Sequence, residues 1–135
     1  MIDEGYLENT RKLYLNVRKI ESQIRYLKEQ AYMLKGVSFG EKVQTTKNND
    51  HMVDGVIKYV DLELTYWEIL DDYLEHYGYI YKQLQKLAYV SQLYIIGRYL
   101  MGMNNVQLAE YMGVTERHIY RMKKDVLIEL KNIVG

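Results

Sequence analysis

Within the stretch GVTERHIYRMKK, Gly113 to Lys124, two Arg, two Lys, a His and a Tyr crowd into twelve residues of a chain with no net charge. Arg presents a planar fork that can bridge the two acceptors of a guanine edge, and Lys suits a phosphate as a point charge. A helix carrying them could lie against DNA; it could equally be a solvated basic face. The rest of the chain offers other chemistry little. His51, His76 and His118 are scattered, and Asp72 and His76 stand one helical turn apart near Glu68 and Glu75 without a second such set on a facing helix. Adjacent carboxylates such as Asp71 and Asp72 point apart on a helix. There is no Cys, no Gly-rich phosphate loop and no Ser/His/Asp grouping, so no enzyme, metal or cofactor is expected.

Length and composition bound what must position those residues. At 135 residues the chain has room for one ordinary domain or a small domain with an extended element, and 48% hydrophobic residues suffice for a core. No run approaches a membrane span and the first residues carry no apolar signal region, so a cytoplasmic protein without a membrane partner is expected. Zero Pro beside 15 Tyr points to long helices. The net charge of zero hides a segregation. From residue 82 onward eight bases stand against four acids, whereas from 50 to 75 eight acids stand against Lys58 alone.

Leu13, Val17, Ile20, Ile24, Leu27, Ala31 and Leu34 step by fours and threes, the seam spacing of a coiled coil. The spacing predicts a helix from Tyr6 to Lys35, ending at Gly36. A polar loop follows over 36–49, and Asp50 is placed to cap a second helix. That helix has a seam of Val53, Ile57, Val60, Leu64, Trp67 and Leu74. Two seams joined by a loop predict an antiparallel hairpin over 1–80, registered so that Lys35 meets Asp54 and Lys28 meets Asp61. The same register brings Glu21 near Glu68, which is unfavourable. A line of Arg11, Arg18 and Arg25, with Lys12 and Lys19 beside it, reads as a solvated face, a second phosphate contact, or a site for the acidic helix of another copy.

A second domain is expected over 81–135. After a break near Leu87–Ser91, a helix through Leu93, Ile96 and Leu100 should end at Gly102. From Asn105 onward the apolar positions fit a helix-turn-helix: Leu108, Met112, Val114, Ile119 and Met122 inward, small Ala109 at the crossing, and Gly113 for the left-handed turn. Asn104 or Asn105 can cap the first helix and Thr115 the second. Helical spacing then turns Ile119, Met122, Val126, Leu130 and Ile133 inward, and Arg117, His118, Tyr120, Arg121 and Lys124 outward. The assignment is Arg117, His118 and Arg121 toward bases, with Lys123, Lys124 and Tyr120 toward the phosphate backbone. Thr115 and Glu116 complete the DNA-facing set.

The segment GRYLMGMNNVQLAEYMGVTERHIYRMKKDVLIEL resembles region 4 of sigma-70-type factors, the helix-turn-helix that reads the promoter −35 element. It is similar also to small phage and prophage regulators, late-gene activators of the ArpU/RinA kind, that join a helical hairpin to such a domain. The likeness rests on Arg98-Tyr99, Leu108-Ala109, Gly113, Thr115-Glu116-Arg117 and Ile119-Tyr120-Arg121. Asn105-Val106 depart from the aromatic or Thr of many relatives, and nothing resembles region 2, so a complete sigma factor is not implied. The resemblance implies an all-α regulator of transcription that binds double-stranded DNA and works with RNA polymerase. A homodimer through the N-terminal hairpin is the expected assembly. A small-terminase-like packaging protein and a polymerase-binding module that does not read DNA stay open as alternatives.

Overall fold

The computed structural model describes residues 2–37 and 46–134, with backbone alone at 31–37, 46–53 and 134. Every element among them is helical: α1 (Glu4–Val37), α2 (Thr46–Leu84), α3 (Tyr89–Ile95), a π-helical turn (Ile96–Leu100), α4 (Asn105–Met112) and α5 (Glu116–Val134). The chain divides into two compact units. One joins Met1–Leu15 to Leu70–Gly135, and the other is Asn16–Ile69. The division therefore differs from the boundary expected at residue 80. The start of α1 and the end of α2 share a core with α3–α5, where Leu7, Ile80 and Ile119 are each almost fully buried.

In that first unit, Asp3 opens α1 by accepting from the Tyr6 amide at 2.8 Å, and Ile2 and Leu7 on either side of the cap are buried together in the core. Further in, the Thr10 hydroxyl lies 2.9 Å from the Tyr6 carbonyl and 2.8 Å from His76 Nδ1. Tyr6 stacks on the same imidazole with ring centroids 4.3 Å apart. His76 is thus a packed side chain, held between the Tyr6 ring and the Thr10 hydroxyl. The chain turns after α2, and α3 runs into a π-helical turn, with the Met101 amide reaching back to the Ile96 carbonyl at 2.9 Å. This wider coil ends at Gly102, whose φ of 66° is left-handed as expected for a helix stop.

Three side chains satisfy the carbonyls of that stop. Tyr73 donates to Leu100 O at 2.6 Å, Arg98 to Met103 O at 3.0 Å, and Arg11 reaches Gly102 O at 3.5 Å. Burial pushes the Tyr73 phenol up to about 12, helped by Tyr14 and Tyr77. Across the unit, Glu129 of α5 accepts from the Ala88 amide at 2.6 Å and from the Ser91 hydroxyl, capping α3 and tying it to α5.

In the second unit α1 and α2 lie side by side in opposite directions. Tyr66 donates to Glu21 at 3.1 Å, and Lys28 stands 5.8 Å over the Tyr59 ring. On α1 the expected seam faces inward, with Val17 and Ile20 buried and Ile24 and Leu27 half-buried; Ala31 and Leu34 lie outside the described side chains. On α2 it does not. Ile57, Val60, Leu64 and Trp67 are exposed, and Tyr59, Leu62, Tyr66 and Ile69 occupy the inner positions instead. Lys28 accordingly meets Tyr59 and not Asp61. Lys35 and Val53 lie outside the described side chains. Both helices are also longer than predicted: Gly36 and Val37 belong to α1, and α2 begins at Thr46, which places Asp50 in its interior and not at its start. The rest of the expected loop, 38–45, lies outside the described residues.

Candidate nucleic-acid interface

Local chemistry fixes α4 at both ends. The Asn104 side chain accepts from the Gln107 amide at 2.8 Å, while the Gln107 side chain accepts from the Asn104 amide at 3.0 Å, a reciprocal capping box. At the other end Gly113 turns left-handed at φ 70°. Its amide and that of Val114 reach back to the Glu110 and Ala109 carbonyls. Two residues later Thr115 caps α5, its hydroxyl accepting from the His118 amide at 3.2 Å. Leu108, Ala109 and Ile119 are buried across the contact between α4 and α5. Gly97 makes room for α4 on its other side, since a Cβ there would stand 2.6 Å from Leu108 Cδ1.

These constraints set the roll of α5. Val126 and Leu130 join Ile119 in the core, with Met122 and Ile133 packed against it. The opposite face presents Arg117, Arg121 and Lys124 at i, i+4 and i+7, all exposed, with exposed Tyr120 on one flank and His118 on the other. Among the described residues none of these three cations has an ion-pair partner. The face is a row of cations, unpaired among the described residues, on a helix beginning at a capped N-terminus, suited to phosphates or other polar acceptors. Two exposed acids border the row, Glu116 in the first turn and Asp125 one turn after Arg121.

Two of the expected site residues stand differently. The Thr115 hydroxyl is engaged in capping α5. Lys123 turns from the outer face and pairs with Glu4 of α1 at 3.0 Å, beside a small cavity also lined by Tyr94, Arg98 and Tyr120. Glu4 is the participant that sequence reading missed. Nothing local marks it, because its partner lies at the far end of the chain. Behind Lys123 the phenols of Tyr94 and Tyr99 are raised by burial, which keeps them neutral.

Among the described residues no group of three or more His, Cys, Asp or Glu side chains could hold a metal ion, and no helix is long and apolar enough to cross a membrane. No family model, curated protein or solved structure matches the chain.

Proposed function

We propose that the protein is a sequence-specific, double-stranded DNA-binding transcription regulator of phage or prophage type, acting at promoters with RNA polymerase. In this reading α4 and α5 form a helix-turn-helix with α5 as the reading helix, and α1 and α2 form a coiled-coil hairpin that supplies dimerisation. The observation that supports it most is the row Arg117, Arg121 and Lys124, exposed and without ion-pair partners among the described residues, directly after the Thr115 cap. The first turns of such a helix reach base edges in the major groove. Arg117, His118 and Arg121 are assigned to bases, Tyr120 and Lys124 to phosphates, and Lys123 to a phosphate once it leaves Glu4.

The test is selection from a randomised duplex pool followed by fluorescence anisotropy at two salt concentrations. Each good base contact discriminates by about 1–3 kcal/mol, so Arg117→Ala/Arg121→Ala should weaken binding to the selected duplex by about tenfold or more and flatten its preference. Wild-type affinity should fall steeply with salt as counterions are displaced. Failure to enrich any sequence, or selective binding that survives the double substitution, would remove α5 as the reading element.

A further inference from the structure

We propose that the outward apolar stripe of α2 is covered by α1 of a second copy of this chain, in a closed two-fold pair. Ile57, Val60, Leu64 and Trp67 recur by threes and fours, the spacing of a helix-packing seam, yet within the chain α1 packs on a different face of α2. Leu64 is 60% exposed and Trp67 61%, with Val56 alongside at 62%. A contiguous line of large apolar side chains left in water marks an interaction surface.

Charge selects the occupant. Exposed Asp54, Asp61 and Glu68 follow at seven-residue intervals along one side of the stripe, and α1 carries exposed Arg18 and Arg25 two turns apart, with exposed Lys19 and Tyr26 beside them on the edge that borders the groove to Lys58 and Asp61 of the same chain. Among the described residues neither Lys19 nor Arg25 has an ion-pair partner, and neither do the three acids; Arg18 is paired within its own helix to Glu21 at 3.2 Å. Packing the stripe antiparallel on its own copy would bring the two acidic lines together. Packing α1 of a second copy on it brings bases to acids, and a two-fold axis repeats that contact, so both faces are satisfied at once and the assembly closes. The pairing is independent of whether α5 reads DNA.

Trp67 is the single tryptophan of the chain and lies in the stripe, so its emission reports on cover. Sedimentation velocity and Trp67 emission would be followed over a dilution series of the full chain. Two charge-reversed variants would be run beside it: Arg18→Glu/Lys19→Glu/Arg25→Glu, and Asp54→Lys/Asp61→Lys/Glu68→Lys. The wild type should form a dimer whose emission moves to shorter wavelength as it associates. Each variant alone should associate at least tenfold more weakly, and an equimolar mixture should regain the wild-type dimer, with circular dichroism confirming helicity throughout. A wild-type monomer, an open-ended assembly, or a dimer whose Trp67 emission stays that of an exposed indole would each overturn the proposal whatever the variants do. So would a dimer that persists undiminished in the first variant alone, since that would place stripe on stripe. A monomer that still selects a DNA sequence would sink this pairing and leave the DNA reading standing.

Discussion

Lys123 of α5 is held by Glu4 of α1 at 3.0 Å, so a carboxylate from the first turn of the chain occupies one of the cations assigned to the DNA backbone. Both side chains are substantially solvated, and such a pair contributes only about 0–1 kcal/mol to stability. A phosphate can therefore displace it.

Removing the carboxylate should strengthen DNA binding. Glu4→Gln frees Lys123 and takes a negative charge from beside the basic face of α5, and under the proposed function the expected gain is about two- to tenfold in affinity, largest at low salt. Anisotropy titrations of the variant and of Glu4→Gln/Lys123→Ala check this. The double variant should lose the gain, whereas an unchanged Glu4→Gln would show that Lys123 contributes nothing to binding.

Two left-handed glycines separate backbone strain from crowding. At Gly113 an added Cβ meets nothing within 4 Å, so Gly113→Ala should cost only the conformational term, about 1 kcal/mol. At Gly102 the Cβ would also stand 2.7 Å from the Tyr14 ring, and Gly102→Ala should cost about 2–4 kcal/mol. Chemical denaturation of the two variants gives both values. Equal losses would refute the crowding at Gly102.

Alkali should loosen the first unit through Tyr73. Its folded-state value, raised to about 12 from an ordinary 10, means that the folded protein keeps a proton the unfolded chain gives up. The stabilisation is complete below pH 10 and is lost as pH rises from 10 through 12. Tyr73→Phe should be less stable at neutral pH by about 1–2 kcal/mol, because Leu100 O loses its donor, and should lose less stability over pH 10–12. Unfolding curves collected across pH 8–12 test both halves.

Glu129 is expected to matter for folding and not for DNA contact. Glu129→Ala leaves the Ala88 amide and the Ser91 hydroxyl without their acceptor and should destabilise the protein by about 1–2 kcal/mol. Below its melting transition the variant should bind a selected duplex as the wild type does. Weakened binding with stability intact would contradict this role.

What was legible in the sequence is what short-range chemistry determines. An asparagine cap at 104 or 105, the turn at Gly113 and the Thr115 cap each join residues only a few positions apart, so residue type and spacing suffice to place α4, the turn and α5, while the choice of Asn104 and its reciprocal bond with Gln107 came from the structure. The inward face of α2 was not legible, because that helix carries two stripes able to pack. The stripe of aliphatic residues and Trp67 scores as the more hydrophobic, yet Tyr59 and Tyr66 turn inward. A tyrosine can place its ring against a neighbouring helix while its hydroxyl finds a partner, here Glu63 for Tyr59 and Glu21 for Tyr66. Periodicity measures neither choice. The Glu4–Lys123 pair and the seat of His76 between Tyr6 and Thr10 were hidden for a different reason. Each joins residues far apart in the chain, and only the fold decides that they meet.

Because one core combines the opening residues with α3, α4 and α5, the order of synthesis runs against the order of packing. Leu7 leaves the ribosome before Ile119 and cannot be buried in their common core until α3, α4 and α5 have followed it. The residues of the second unit emerge in between and can pair locally while the opening helix waits with its apolar face in water. Such long-range closure slows folding and prolongs the exposure of sticky surface. The interval between the synthesis of Leu7 and that of Ile119 is therefore the time for which that apolar face has no partner to cover it.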